Sequence, residues 1–133
     1  MELDLREVMI LLQRKWNSIR ELDRLTGEME ETFERNDGIS AAMLLQLRQD
    51  EMLKIERCME DIWQLGEVSP TASAKLRELI TSDLEKAVGK TPEEKKIYEI
   101  RRKTQDLLEK LKKKDQELNR RMHGKKSYQQ AAK

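Results

Sequence analysis

The chain is organised around one long periodic stretch, residues 5–33, which reads LREVMILLQRKWNSIRELDRLTGEMEETF. Apolar side chains recur in it at steps of three and four, the spacing that places them along one side of an α-helix. With Thr26, these positions are Leu5, Val8, Leu12, Trp16, Ile19, Leu22, Met29 and Phe33. No proline interrupts the pattern, which predicts a helix over about residues 3–35. At ~1.5 Å per residue this helix is roughly 50 Å long, which favours an elongated molecule.

A turn and a second helix follow. The triplet Asn36-Asp37-Gly38 ends the first helix, because Asn and Gly tolerate the left-handed conformation that closes helices. Ser40 is then a candidate N-cap for a helix over 41–65. Met52, Ile55, Met59 and Ile62 recur in it at heptad spacing, which predicts that they form its seam.

The second half of the chain predicts two more helices. Residues 69–73 have a linker composition, and a third helix is predicted over 74–88. Thr91-Pro92-Glu93-Glu94 is an N-terminal capping signature that begins a fourth helix over 92–122. Heptad spacing from Leu76 to Ile97 also allows one continuous helix, but polar residues at the intervening seam positions favour a break. Residues 124–133 are predicted to be a flexible basic tail.

Composition agrees with an all-α fold. Ala, Glu, Lys, Leu and Arg account for 70 of 133 residues, a share typical of long or coiled-coil helices, and residues that favour strands are scarce. Short connections between helices favour antiparallel neighbours. The sequence therefore predicts a single domain, residues 1–123, that forms an elongated, coiled-coil-like antiparallel helical hairpin or bundle of three to four helices.

The net charge of +1 hides an asymmetry between the two halves. Residues 1–68 carry 9 basic and 16 acidic side chains, a net charge of −7, whereas residues 69–133 carry 18 basic and 10 acidic ones, a net charge of +8. We expect the acidic front to lie against the basic last helix. A nucleic-acid-binding regulator that uses the basic end is an alternative, but its lysines alternate with seam leucines and only Tyr128 could stack on a base.

The residue inventory argues against catalysis. The chain has one cysteine, Cys58, and one histidine, His123, too few for a metal site or for a nucleophile with its base. No glycine-rich phosphate loop is present. We therefore expect no enzyme activity and no cofactor. The longest apolar runs have five residues and no signal-peptide pattern is present, so we expect a cytoplasmic protein without membrane insertion.

Apolar side chains exceed what one helical seam can bury. The surplus comprises Met9, Leu11, Leu25, Met43, Leu44, Leu45 and Leu47. Exposed apolar patches usually mark a partner site, and a groove for a partner helix would suit them. The open alternative is a larger bundle or a homodimer that buries all of them, and the protein would then be a client-free coiled-coil adaptor or a self-assembling structural bundle.

The order of these segments resembles the flagellar type III export chaperones of the FliT/FlgN kind. The residues that carry the resemblance are the turn Arg35-Asn36-Asp37-Gly38, the stretch LLQLRQDEM at 44–52 and the end HGKKSY at 123–128. In that group a charged helical hairpin precedes a Gly-Lys-Lys-x-x-x-Tyr-like tail, and here Tyr128 comes two residues after the second lysine.

The resemblance implies a cytosolic chaperone with two protein partners, an export substrate and the export apparatus. The substrate would be a late flagellar protein, either the filament cap or a hook-associated protein, bound through its helix-forming terminal segment. Binding would prevent premature assembly and deliver the substrate to the export gate. From the surplus apolar surface we hypothesise that the partner-binding residues are Met43, Leu44, Leu47, Tyr98 and Leu108.

Overall fold

The computed structural model describes the backbone of residues 2–131 and the side chains of residues 2–121. In this part of the chain it contains four α-helices, one 3-10 turn at Gly66–Val68 and no strand. The helices are α1 (Leu5–Glu34), α2 (Gly38–Leu65), α3 (Pro70–Thr81) and α4 (Pro92–Ala131). The predicted all-α helical bundle is confirmed.

The turn between α1 and α2 follows the local sequence signals. Asn36 adopts the left-handed conformation, with φ of 55°, as the sequence predicts. The N-cap of α2 is Asp37 rather than Ser40, since its carboxylate accepts a hydrogen bond from the Ser40 amide at 3.0 Å. α2 therefore begins at Gly38, three residues before the predicted start, and it ends at residue 65 as predicted.

The predicted bounds of the third helix are wrong at both ends. α3 begins at Pro70 because Ser69 is its N-cap, with its hydroxyl accepting from the Ala72 amide at 3.1 Å, and proline suits the first helical position. It ends at Thr81 because Ser82 turns to an extended conformation. Asp83 then closes a local turn by accepting from the Glu85 amide at 3.0 Å.

Residues 82–91 form the connection that separates α3 from α4, so the predicted break is confirmed. Two arginines of α4 hold this connection. Arg101 donates to the Leu79 carbonyl and to Ser82, and Arg102 donates to the carbonyls of Leu84 and Ala87. Gly89 lies against the start of α4, where an added Cβ would lie 2.5 Å from the Lys95 nitrogen. That approach leaves room for glycine only.

The start of α4 is the predicted capping box. The Glu94 amide donates to the Thr91 hydroxyl at 3.2 Å, and the Glu94 carboxylate accepts from the Thr91 amide at 3.1 Å. α4 continues past the predicted end at 122 to Ala131, since a glycine such as Gly124 weakens a helix without stopping it. The side chains of the predicted flexible tail, 124–133, lie outside the described residues, and its flexibility stays a prediction.

α1 is the central helix and packs against both α2 and α4. α2 runs antiparallel to α1, and α3 with its connection returns the chain so that α4 runs parallel to α1. Three core clusters follow α1 from its N-terminus to its C-terminus: Val8, Leu11, Leu12, Ile62, Leu76, Leu79, Ile97, Tyr98 and Ile100 in the first; Ile19, Leu22 and Leu111 in the second; Leu25, Met29, Leu44 and Leu118 in the third. Most of the buried apolar surface is therefore at the end where α3 packs.

Three ion pairs join α4 to the first half of the chain within the described side chains. Asp23 pairs with Lys114 at 2.8 Å and Glu34 with Arg121 at 3.4 Å, each an acid of the front half with a base of α4. The third reverses the signs, since Arg48 pairs with Asp115 at 2.9 Å. The expected ion pairs between the acidic first half and the basic α4 are thus present. The Arg48–Asp115 pair is an addition that the net charges of the two halves do not predict.

Candidate protein-binding surface

The inner side of α2 is unusually polar for a core-facing stripe. Its buried or half-buried positions are Ser40, Ala41, Leu44, Arg48, Glu51, Ile55, Cys58, Met59, Ile62 and Leu65. Predicted seam residues Ile55, Met59 and Ile62 do pack into the core, but Met52 is exposed and Glu51 takes its place. Only Leu44 and Ile62 are fully buried, whereas α1, of similar length, fully buries nine residues.

Arg48 is the residue that links α2 to α4 across the third cluster. Its side chain is 11% exposed, and one terminal nitrogen donates to Asp115 at 2.9 Å while the other lies 3.7 Å from the Met29 sulfur. Its Nε is buried without a hydrogen-bond partner in the described part of the structure. A buried guanidinium depends on its carboxylate partner, because an unpaired buried charge is strongly unfavourable.

Exposed apolar side chains are concentrated on α2. Of the eleven large apolar side chains that are exposed within residues 2–121, seven lie on this helix. They are Ile39, Met43, Leu45, Leu47, Met52, Leu53 and Trp63, and we call them the α2 outer face. Helical spacing places Leu45, Met52 and Trp63 on one side of α2, in line with the half-buried Met59.

Met43 and Leu47 lie on the opposite flank of α2 from Met52, because nine residues separate Met43 from Met52. Together with the C-terminal end of α1 they form a groove of about 330 Å³, whose α1 wall includes Glu28, Glu31 and Thr32. The two side chains are four residues apart and 64% and 47% exposed, so they form one apolar ridge beside polar walls. A partner helix could bury this ridge.

The five residues that the sequence singled out do not share one surface. Met43 and Leu47 lie on the α2 outer face, and Leu108 is exposed on α4. Leu108 lies ten residues, or roughly 15 Å of helix, before Leu118, which packs beside Leu44. Leu108 therefore lies at a different height along the bundle axis from Met43 and Leu47.

Leu44 and Tyr98 are core residues, which corrects their expected place on an exposed surface. Leu44 is 8% exposed and packs with Leu25, Met29 and Leu118. Tyr98 is 4% exposed in the first cluster, with the Arg101 guanidinium 5.9 Å from its ring centroid. Neither side chain is available to a partner while the bundle is closed.

Other surplus residues also turn out to be buried. Leu11 and Leu25 pack inside because α1 lies between two helices and so buries more than one stripe. Conversely, sequence reasoning missed Ile39, Leu53 and Trp63 as exposed apolar residues. The low apolar content of the true α2 seam, with Arg48 and Glu51 at core positions, was the signal that part of its apolar side chains would face outward.

The chemistry of the interior does not activate a nucleophile. Burial, and then Asp61, raises the pKa of the Cys58 thiol. Burial first, and then Arg101, lowers the pKa of the neighbouring Lys15. A protonated thiol is a poor nucleophile. Within the described residues no group of carboxylate, thiol or imidazole side chains is arranged to hold a metal ion.

The described helices also include none with the length and apolar character to cross a bilayer. Comparison of the chain with protein-family models, with curated proteins and with solved structures finds no match. The resemblance to flagellar export chaperones therefore rests on the quoted residues alone.

Proposed function

We propose that this protein is a cytosolic chaperone that binds a helix-forming segment of another protein on the α2 outer face. The resemblance described above makes a late flagellar protein, the filament cap or a hook-associated protein, the first candidate. Binding of its terminal segment would prevent premature assembly until delivery to the type III export gate.

The observation that carries the proposal is the concentration of exposed apolar side chains on one helix. Single exposed apolar residues are ordinary on protein surfaces, but a concentration of them on one element favours an interaction site. The α2 outer face extends from Ile39 to Trp63, over most of the 28 residues of α2. An interface of that length suits an extended partner such as a helix rather than a small molecule.

The chemistry of the face favours a helical partner. Met43 and Leu47 at i and i+4, and Leu45 and Met52 at i and i+7, repeat at the spacing with which helices interlock. An amphipathic helix can lay its apolar side along such ridges. Two of the residues are methionines, whose flexible side chains adapt to partners of different shape.

Calorimetry with purified terminal segments of candidate cap and hook-associated proteins tests the proposal. The variant Met43→Asp/Leu47→Asp places two charges on the exposed ridge and leaves the buried Leu44 in place. We expect it to weaken binding at least about tenfold, since each buried apolar side chain contributes roughly 1.5–3 kcal/mol. Circular dichroism should show unchanged helix content.

The matched control is Val68→Asp/Val88→Asp, which replaces two exposed apolar side chains outside α2 by aspartate. We expect this control to bind like the unmodified chain. Equal affinities for all three proteins, or no measurable affinity for any late flagellar segment, would contradict the proposal. A tight dimer in sedimentation, broken by Met43→Asp/Leu47→Asp, would favour a self-assembling bundle instead.

A further inference from the structure

A second, differently charged surface lies between α1 and α4. It is a groove of about 930 Å³ lined only by residues of these two helices. Trp16 and Leu107 supply its apolar surface, and Arg20, Lys103 and Lys110 project from its walls. No residue of the α2 outer face takes part in it.

The groove has a surplus of positive charge. Two of its carboxylates are already neutralised, since Glu21 pairs with Arg24 and Asp23 pairs with Lys114 at 2.8 Å. Arg20, Lys103 and Lys110 form no ion pair with any described residue, which leaves Asp106 as the remaining acid of the walls. Three cations against one carboxylate indicate an anionic ligand.

Trp16 is already covered by cations. The Arg20 guanidinium carbon lies 4.8 Å from its ring centroid, and the Lys103 ammonium lies 5.0 Å from it. Stacking on a nucleic-acid base needs an open ring face. The cations over the ring instead place positive charge beside an apolar surface, which suits carboxylates flanking apolar side chains.

The spacing of the lysines points in the same direction. Lys96, Lys103 and Lys110 are seven residues apart and lie on one side of α4, at steps of roughly 10 Å along the axis. Acidic residues one heptad apart on a partner helix would repeat at the same distance.

We propose that the groove between α1 and α4 binds an acidic amphipathic helix of another protein. Its apolar residues would lie on Leu107 and beside Trp16, and carboxylates one heptad apart would pair with Lys103 and Lys110. This site is separate from the α2 outer face and does not depend on which partner that face binds.

Titration of Trp16 fluorescence tests the site directly. A Trp63→Phe background makes Trp16 the sole tryptophan of the chain. The first probe is a synthetic peptide of about 21 residues, three heptads, with Leu at the seam positions and Glu at the flanking ones. The second has Lys in place of every Glu, and the third is a thymidine oligonucleotide of about 20 nucleotides.

We expect the acidic peptide to change Trp16 emission and the basic peptide to leave it unchanged. Lys103→Glu/Lys110→Glu should lower the affinity for the acidic peptide at least about tenfold, because each charge reversal replaces attraction by repulsion. The matched control Lys95→Glu/Lys113→Glu has the same charge change on exposed α4 positions outside the groove, and should change affinity less than about twofold. Circular dichroism verifies that both variants fold.

Several results would overturn the proposal. An equal loss in both double variants would mean attraction by overall charge rather than a site. Tighter binding of the oligonucleotide, abolished by Lys103→Glu/Lys110→Glu, would assign the groove to nucleic acid. Self-association of the chain that the same variant abolishes would assign it to a second copy. An acidic peptide without effect would end the proposal, whatever the α2 outer face binds.

Discussion

Glu94 shows how much one side chain can organise in this bundle. Its carboxylate is buried, accepts hydrogen bonds from the amides of Lys90 and Thr91 and forms an ion pair with Lys75 of α3. The hydrogen bond from Lys75 is the largest cause that lowers the pKa of this carboxyl. Glu94 therefore joins α3, the connection and the first turn of α4, and the ionised form is the stabilising one.

Replacing Glu94 by glutamine should make stability less dependent on pH. Because the pKa is lowered, the ionised carboxylate stabilises fully above the ordinary value of 4.5, and this contribution is lost as the pH falls through the lowered pKa. We expect Glu94→Gln to lower the free energy of unfolding by about 2 kcal/mol at neutral pH, and the difference to narrow as the pH falls below 4.5. Urea denaturation across this range measures it.

The neighbouring Glu93→Gln is the matched control, since Glu93 is an exposed residue of the same helical turn. We expect it to change stability by less than about 0.5 kcal/mol at any pH. A Glu94→Gln difference that stays constant, or widens, on acidification would contradict the role given to the ionised carboxylate.

Lys15 has the opposite effect on stability, because its charge is unfavourable in the folded state. Burial and Arg101 lower its pKa, so the charged form destabilises the folded state at every pH below the lowered pKa. We expect Lys15→Met to raise the free energy of unfolding by about 1 kcal/mol, measured by urea denaturation. Lys112→Met, on the exposed surface of α4, should stay within about 0.5 kcal/mol of the unmodified chain. A lower free energy of unfolding for Lys15→Met would show instead that the charge of Lys15 stabilises the folded state.

Among the helices, a local capping signal predicts the start of α4 correctly but not the starts of α2 and α3. Thr91 and Glu94 predict the start of α4, because a capping box is formed by residues close in sequence and needs no distant partner. Ser69-Pro70 is an equally local signal, but its composition is also that of a linker. Which stripe of α2 faces inward could not be read from α2 itself, since that depends on where α1 and α4 lie.

The Arg48–Asp115 pair allows the energetic coupling between α2 and α4 to be measured. Asp115→Ala should lower the free energy of unfolding by about 2 kcal/mol, because it leaves the guanidinium buried and unpaired. Arg48→Met/Asp115→Ala should recover most of that loss, since the methionine can pack where the guanidinium lay. Chemical denaturation of both variants and of Arg48→Met measures the coupling.

Additive losses in the double variant would mean that the two side chains contribute independently rather than as a pair. Arg120→Ala is the control for loss of charge on α4, since Arg120 is exposed. We expect it to be neutral within about 0.5 kcal/mol.

On the scale of the whole molecule, the sequence predicts the bundle and the charge pairing better than it predicts the surface. The periodicity of α1 and the acidic front against a basic α4 follow from patterns within each segment. The burial of Leu44 and Tyr98 and the exposure of Leu53 and Trp63 do not, because each depends on packing between helices. The two candidate surfaces, one apolar on α2 and one basic between α1 and α4, emerge only from that packing.

Methionine-methyl NMR is a direct test of whether a helical segment binds the α2 outer face. Met43 and Met52 lie on that face, whereas Met29 is buried in the third cluster and serves as an internal control. Met43 and Met52 lie on opposite flanks of α2, because nine residues make about two and a half helical turns. Titration with a terminal segment of a filament-cap or hook-associated protein should shift the methyl resonance of one of the two and leave that of Met29 in place. Saturable binding that moves neither Met43 nor Met52, or that moves Met29 most, would rule out binding of a helical segment to this face.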